Sequence, residues 1–171
     1  AGGSRQEIRG DQEGEGGIAQ ALGLAEPFAK GHRVVVILGD NILEKGIADG
    51  VTKFQKLDEG ALVYLKKMND PRPYGVPVFK NGRIIRIEEK PKRPKSKYAV
   101  IGVYMYDENV FDLIRTLKPS GRGELEVTDL NNAYLKRGRL HHEILKGWWA
   151  DAGESHEALL AANQIVAHSR M

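Results

Sequence analysis

The sequence contains no cysteine, which excludes disulfide bonds and thiolate metal sites and makes a reducing, cytoplasmic setting the natural expectation. No apolar run approaches the ~20 residues that span a bilayer, and the polar, glycine-rich N-terminus does not resemble a signal peptide, so we expect no membrane association. An excess of positive charge is also lacking, because 26 lysines and arginines face 23 acids for a net charge of +3. This balance does not indicate a nucleic-acid-binding protein, although a local basic patch could hold a phosphorylated small molecule.

What remains has the composition of an ordinary globular domain. The 171 residues are 41% hydrophobic and 29% charged. One domain of this length buries roughly 70% of the surface of its unfolded chain. Residues 1–16 are glycine-rich without apolar periodicity and are predicted to be an irregular lead-in. We place the folded domain at residues 17–171.

Hydrophobic periodicity predicts helices and strands that alternate early, with strands dominating the middle of the chain. The first helix runs from Ile18 and is closed by Gly31. The uninterrupted run 34–38 is typical of a parallel strand covered on both faces. The other predicted strands cover 61–67, 98–107 and 140–145, and 75–91 forms a hairpin turning at Asn81-Gly82, with Pro77 at an edge or bulge.

Further helices are predicted at 47–57, 108–117, 126–138 and 154–169. Thr128 is a plausible cap of the third of these. In the last helix, Leu159, Leu160, Ile165 and Val166 are expected to face the core. The predicted fold class is therefore α/β, a Rossmann-like mixed sheet with helices on both faces and a small β-hairpin subregion.

Asp40 ends the most apolar run of the chain, RVVVILGDNI. Ligands of open α/β sheets bind outside the carboxyl ends of the strands, and an acid there could hold magnesium together with substrate phosphates. Gly39-Asp40-Asn41 could equally be a turn in which the Asp side chain caps backbone amides. The local sequence favours the turn.

Asp151 is a second candidate, in the stretch GWWADAGE. Trp148 and Trp149 could form an apolar wall beside this carboxylate, and two carboxylates from distant segments would suit a metal that bridges phosphates. A buried Trp pair with Asp151 capping the last helix explains the same residues.

Basic residues follow in IEEKPKRPK. Lys90 precedes Pro91, which disfavours the α region, so Lys90 is predicted at a strand end as a point charge for a phosphate. A solvated basic loop is the alternative interpretation, and it explains the basic residues that follow Pro91 better than it explains Lys90. His141 and His142 are adjacent in a strand, where their side chains point to opposite faces, so a shared metal is not expected.

Six segments in this order resemble the sugar-1-phosphate nucleotidyltransferases, and among them the glucose-1-phosphate thymidylyltransferases. They are GGIAQALGLAE, VVVILGDNI, DPRPYGV, IIRIEEKPKRPKSKYAVIGVYMYD, GRGELEVTDLNNAYLKRG and GWWADAGE. The resemblance runs from Gln12 to Val166, about nine tenths of the chain. It implies a nucleotidyltransferase (GT-A-like) fold, Mg²⁺, the substrates dTTP and glucose 1-phosphate, and a homo-oligomer.

The resemblance also implies roles for individual residues. Asp40, Lys90 and Asp151 correspond to catalytic positions, and Asp40 and Asp151 to the metal ligands. Nucleotide contacts correspond to Gln12, Gly17, Ile18 and Asp40. The sugar-phosphate pocket corresponds to Tyr74, Gly75, Glu89, Lys90, Val100, Tyr104 and Arg122.

One part of the family pattern is lacking. The family begins with a strand and a loop of the form GGxGTRLxPxT that holds the triphosphate, whereas only eleven residues precede Gln12 here. A shortened sequence, strands supplied by a partner subunit, or a diverged protein without catalysis would each explain this, and we favour the first. Other nucleotides (UTP, CTP or ATP), or a non-catalytic nucleotide-sugar-binding role, remain the alternative functions.

Overall fold

A mixed sheet of six strands dominates the structure, a computed structural model that describes residues 16–168. The strands are β1 (Val34–Ile37), β2 (Asn41–Leu43), β3 (Ala61–Lys67), β4 (Gly75–Lys80), β5 (Arg83–Glu89), β6 (Tyr98–Tyr106), β7 (Leu140–Ile144) and β8 (Trp149–Asp151). The helices are α1 (Ile18–Gly23), α2 (Glu26–Ala29), α3 (Ala48–Gln55), α4 (Val110–Ile114), α5 (Val127–Lys136) and α6 (His156–His168). The predicted mixed α/β class is confirmed.

The long strand β6 organises the sheet. It pairs antiparallel with β3 on one side, and on the other side with β1 near its end and with β4 near its start. The hairpin partner β5 extends β4, and β7 pairs in parallel with β3 at the opposite edge. A separate two-stranded ladder joins β2 to β8.

Alternation along β3 explains why helices cover both faces of the sheet. Val63 and Leu65 pack into a cluster with residues of α1, α4 and α5, whereas Leu62 and Tyr64 pack on the other face with Phe54 of α3. Successive side chains of a strand point to opposite faces, so a strand that is apolar throughout needs cover on both sides. The strand predicted at 61–67 is confirmed.

The strand β1 differs from its prediction. It is antiparallel to β6, and β6 is its only partner within residues 16–168. Val35 and Ile37 are 48% and 52% exposed, so one face of β1 is open. A run of valines and isoleucines suits any buried strand, and neither the direction of a neighbour nor its presence can be inferred from the run itself.

The helix predicted from Ile18 to Gly31 is divided into α1 and α2. Pro27 explains the break, since a proline ring in a helix interior clashes with the carbonyl four residues earlier, here that of Gly23, where α1 ends. Gly31 closes the segment with a φ of 77°. The apolar periodicity thus correctly indicates helical structure in this segment, but as two helices joined by a turn rather than as one helix.

The inward face predicted for the last helix is wrong. Leu159 and Leu160 of α6 are 48% and 60% exposed and Ile165 is also exposed, whereas Val166 is half-buried and only Ala162 is buried. The helix packs mainly against the short strand β8, which is too small to cover a long apolar stripe. None of the described helices has the length and apolarity that a bilayer crossing requires.

Arg33, directly before β1, fixes the end of α3. Its guanidinium donates to four backbone carbonyls, those of Phe54 and Leu57 at 3.1 and 2.6 Å and those of Gln55 and Asp58 at 3.5 and 2.7 Å. The carbonyls at a helix C-terminus lack intrahelical partners, so a fork of donors from another element satisfies several at once.

We expect Arg33→Met to lower the free energy of unfolding by about 1–3 kcal/mol, because charge-assisted hydrogen bonds to the carbonyls at the end of α3 are lost. Urea denaturation followed by circular dichroism measures this. Arg93→Met, the same change in an exposed loop, serves as the control. Equal losses in the two variants would contradict the capping role of Arg33.

Candidate active site

A cavity of about 420 Å³ lies where the ends of β1, β5 and β8 approach β6. Most of the residues predicted from the sequence line it: Ile18, Asp40, Tyr74, Gly75, Glu89, Lys90, Val100, Tyr104, Arg122 and Asp151. Gly17 is next to the lining residue Ile18 without lining the cavity itself. Gln12 lies outside the described residues. Segments far apart in the sequence thus converge on one space.

Asp40 and Asp151 lie side by side because β2 pairs with β8, placing Asn41 opposite Asp151. The amide of Ala152 donates to the carbonyl of Asp40 at 2.8 Å. A Cβ on Gly153 would overlap the Asp40 carboxylate, so this turn requires glycine. Asp151 therefore lies on β8, and β8 is held in place by β2, the strand that directly follows Asp40.

The Asp151 carboxyl has a raised pKa. Burial is the main cause, and the carboxylates of Asp40 and Glu154 add repulsion, against a hydrogen bond of 3.0 Å from the Gly153 amide. Two carboxylates that disfavour each other's charge in a cavity are arranged to accept a cation. Asp151 does not cap α6, where the Ser155 hydroxyl accepts from the Ala158 amide instead.

The donor set fits a hard divalent cation. Asp40 and Asp151 offer only carboxylate oxygens, and magnesium is commonly held by one or two protein carboxylates while substrate phosphates and water complete its shell. Within residues 16–168, no group of three or more His, Cys, Asp or Glu side chains could hold a metal by itself. Water, and substrate phosphates once bound, would complete the shell of a cation held by this pair.

Asn41 holds the Asp40 carboxylate in place and was not among the candidates drawn from the sequence. Its side-chain amide donates to the Asp40 carboxylate at 2.8 Å, and its oxygen accepts from the Gly102 amide and the Trp149 indole at 2.9 and 2.8 Å. Three strands are thereby tied to the orientation of Asp40. The only signal in the sequence was an amide residue directly after the acid at a strand end.

We expect Asn41→Ala to weaken divalent-cation binding about tenfold or more, because outer partners that orient a ligand commonly contribute that much to metal affinity. Calorimetric titration with Mn²⁺ measures the change. Asn132→Ala is the matched control, since Asn132 also makes two hydrogen bonds, to the backbone of Ile87, but lines no part of the cavity. An equal loss of affinity in both variants would contradict the role of Asn41.

Glu89 faces the carboxylate pair from the end of β5. The hydroxyl of Thr128 donates to it, so Thr128 orients an acid rather than capping α5, and the capping position belongs to Glu126. Burial raises the pKa of Glu89 despite this hydrogen bond. A Cβ on Gly75 would lie 3.0 Å from the Thr128 hydroxyl, so glycine leaves room for the pair.

Lys90 follows Glu89 at the mouth of the cavity, as predicted, but with a φ of 40°. Its amide donates to the carbonyl of Tyr74 at 3.1 Å, and its side chain is exposed. A positive φ is uncommon for a residue with a Cβ and costs of order 1 kcal/mol, which the surrounding structure must offset. The ammonium group has no ion-pair partner among the described residues.

Arg122, in contrast, is already paired. Its guanidinium donates to both carboxylate oxygens of Glu126 at 2.9 and 3.0 Å, and approaches Glu124 and Glu89 at 3.4 and 3.7 Å. Glu126 also accepts from the Ser120 hydroxyl at 2.7 Å. The predicted basic contact is therefore present at the cavity, but held by three acids.

Aromatic side chains close the remaining walls. Trp149 lines the cavity and meets the ring of Tyr74 edge-on, with 5.3 Å between the ring centroids, whereas Trp148 does not line it. The Tyr74 hydroxyl donates to Glu154 at 3.1 Å. Burial raises the pKa of the Tyr104 hydroxyl, and the charges of Glu89, Asp40 and Asp151 add to this effect. The Tyr104 phenol therefore lies near Glu89 as well as near the Asp40–Asp151 pair.

The cavity as a whole is acidic. Among the residues that the structure describes, its lining carries six carboxylates (Asp40, Glu89, Glu124, Glu126, Asp151 and Glu154) and two cationic side chains, Lys90 and Arg122. Such a lining repels free phosphates, so an anionic ligand would enter most favourably together with a divalent cation.

Comparisons with known proteins agree with this arrangement. The family model described as nucleotidyl transferase matches residues 4–169. A glucose-1-phosphate thymidylyltransferase of Xanthomonas campestris is 43% identical over 154 residues, which is 88% of this chain and 52% of that protein. The chain thus spans about half the length of this relative.

Solved structures are similar as well. A Bacillus anthracis protein assigned as a glucose-1-phosphate thymidylyltransferase, solved with sucrose, shares 55% identity at a TM-score of 0.84, covering 90% of this chain and 62% of that one. A UDP-glucose pyrophosphorylase complexed with UDP-glucose has a TM-score of 0.82 at 24% identity, over 92% of this chain and 64% of that chain. The second likeness concerns the fold alone.

Proposed function

The chain belongs to the nucleotidyl transferase family, and we propose that it carries the metal and sugar-phosphate side of a glucose-1-phosphate thymidylyltransferase. In this reaction an oxygen of glucose 1-phosphate attacks the α-phosphate of dTTP, the bond to the β-phosphate breaks, and dTDP-glucose and pyrophosphate result. One observation carries the proposal: the Asp40–Asp151 pair faces Glu89 and Lys90 across one cavity.

Each residue type suits this transfer, which needs positioning and charge neutralisation more than covalent help. A Mg²⁺ ion held by Asp40 and Asp151 would neutralise phosphate charge. Lys90, whose ammonium is unpaired in the described structure, would hold the phosphate of the sugar. Glu89, oriented by Thr128, would accept hydrogen bonds from sugar hydroxyls, and its buried position strengthens such bonds.

The nucleotide contacts proposed for Gly17 and Ile18 rest on their place beside the cavity. Gly17 has a φ of 86°, and a Cβ there would lie 2.6 Å from the carbonyl of Leu125, so glycine alone fits. Gln12 remains a proposal from the resemblance.

Release of pyrophosphate from dTTP and glucose 1-phosphate with Mg²⁺ tests the function. We expect turnover that requires both substrates and the metal, with UTP, CTP and ATP giving lower rates. Turnover with another nucleotide in preference to dTTP would overturn the thymidylyl assignment while keeping the nucleotidyl transfer.

A non-catalytic nucleotide-sugar-binding role is the second candidate, and it is favoured by the described cavity lining, in which Arg122 is already paired with Glu126 and Lys90 is the remaining cation for a phosphate. Calorimetry that shows metal-dependent binding of dTDP-glucose without turnover would support it.

The same proposal includes a cytoplasmic homo-oligomer that serves dTDP-sugar synthesis, such as the formation of activated rhamnose. Light scattering on the purified chain tests the assembly, and a monomer at micromolar concentration would overturn that part.

A further inference from the structure

A second cleft, of about 530 Å³, lies on another part of the molecule, between the tip of the β4–β5 hairpin, α3, the end of α5 and the edge strand β7. It shares no lining residue with the Asp40–Asp151 cavity. Gly82 and Gly138 border it with open space at their Cβ positions. The cleft is therefore a separate feature of the fold, and nothing in the proposed reaction uses it.

The polar side chains that line this cleft are all basic: Lys53, Arg83, His141 and His142. No carboxylate lines it among the described residues. The lining is weakly positive, because Arg83 carries a charge there whereas Glu143, 2.9 Å from Lys53, offsets the charge of that lysine.

Most of these groups are also unpaired. Within residues 16–168, the Arg83 guanidinium makes no hydrogen bond or ion pair, and neither imidazole makes a hydrogen bond, although His142 meets Phe79 edge-on at 6.1 Å between centroids. Only Lys53 is engaged, through the Glu143 carboxylate at 2.9 Å and the His142 carbonyl at 3.0 Å. Donors without partners remain available to a ligand.

The other lining residues are apolar. Ile84, Leu135 and Leu140 line the cleft beside the basic groups, with Leu135 and Leu140 partly exposed. A cleft that joins unpaired cationic donors to an apolar surface matches a ligand with a charged and an apolar end.

We propose that this basic cleft binds a small organic phosphate, with the phosphate group on Arg83 and Lys53, beside the imidazoles that line the cleft, and the organic part on the apolar surface. Arginine and lysine are the usual phosphate donors, and one protonated imidazole would add a further donor. The proposal does not depend on the function proposed for the other cavity.

A phosphate in the cleft would be coupled to proton uptake. Burial, together with the charges of Lys53 and Arg139, lowers the pKa of His141, and burial, Lys53 and His141 lower that of His142, where Glu143 acts in the opposite direction. An anion would stabilise both imidazolium forms and raise these pKa values. We therefore expect tighter binding at acidic than at alkaline pH.

Histidine NMR provides the test, with phenyl phosphate and inorganic phosphate as the probes at constant ionic strength. We expect saturable shifts of the His141 and His142 ring resonances while that of His32 stays in place. Neither His141 nor His142 lines the Asp40–Asp151 cavity, whereas His156 lies two residues after the lining residue Glu154 and would report binding there. Phenyl phosphate should bind about fivefold or more tightly than inorganic phosphate, because its ring covers apolar surface.

Arg83→Gln should weaken phenyl phosphate about fivefold or more. Arg86→Gln is the matched control on the same strand, since Arg86 pairs with Glu88 and does not line the cleft. The Arg86→Gln variant should bind phenyl phosphate as tightly as the unchanged chain does. Three results would overturn the proposal: no saturable shift, equal shifts of all the histidines, or equal losses in the two arginine variants. Equal affinity for phenyl phosphate and inorganic phosphate would overturn the proposed contact between the organic part of the ligand and the apolar surface.

Discussion

Replacing Asp151 by asparagine is expected to lower nucleotidyl transfer by at least about a hundredfold, the scale seen when one preorganised charge-stabilising group is removed. The amide keeps the size of the side chain and can still accept from the Gly153 amide at the present distance of 3.0 Å. What it removes is the negative charge that would hold the cation beside Asp40. Pyrophosphate release under saturating Mg²⁺ measures the rate.

The same substitution is expected to stabilise the metal-free fold. Burial and the neighbouring Asp40 raise the pKa of Asp151, so its ionised form is disfavoured in the folded state. Because a raised folded-state pKa of an acid means that stability falls as pH rises through the titration, Asp151→Asn should remove that loss near neutral pH. Added Mg²⁺ should reverse the order, since it stabilises only the chain that binds it.

Asp58→Asn is the matched control, because Asp58 is exposed and lies outside the cavity. It should change neither the rate nor the response of the melting temperature to Mg²⁺. Activity that survives Asp151→Asn unchanged would contradict the metal-binding role. If the unchanged chain shows no turnover, the metal-dependent shift in melting temperature still discriminates between the two variants.

The positions of Asp40, Glu89 and Lys90 at strand ends follow from features that a sequence displays, since each comes at or just after the end of a predicted strand. Their convergence does not, because it depends on β1 and β4 both pairing antiparallel with β6. The hairpin turn at Asn81-Gly82 was also predicted correctly from the sequence. Both residues take the positive φ, 49° and 74°, that this dipeptide favours. Sequence patterns predict a structural feature well when the contacts that determine it join residues close together in the chain.

Other properties of the site depend on contacts across the fold, which no local pattern specifies. Thr128 was predicted as a cap because threonine often caps helices, but its hydroxyl instead meets Glu89, a residue 39 positions away. Arg122 was predicted to contact the sugar phosphate, and its approach to Glu89 at 3.7 Å depends on the fold, whereas its pairing with Glu126, four residues later, is local. The open face of α6 depends on what packs against it, which apolar periodicity does not reveal.

Asp107→Ala is expected to cause the largest loss of stability, about 3–5 kcal/mol in the free energy of unfolding. This carboxylate, 2% exposed, accepts hydrogen bonds from the Gly60 amide at 2.5 Å, the Asn109 amide at 3.0 Å and the Tyr134 hydroxyl at 2.7 Å. Alanine would leave all three donors without their acceptor in the interior. Urea denaturation at neutral pH measures the loss.

Tyr134→Phe separates the parts of this network, because it removes one hydrogen bond while keeping the ring that stacks on Tyr106 at 5.6 Å between centroids. Its loss should be about 1 kcal/mol, the net value of one such bond. A loss for Asp107→Ala no larger than that for Tyr134→Phe would contradict the network. Since Asp107 joins the end of β6 to α5, which carries Thr128, the same loosening should weaken the orientation of Glu89 and raise the KM for the sugar phosphate before it lowers kcat.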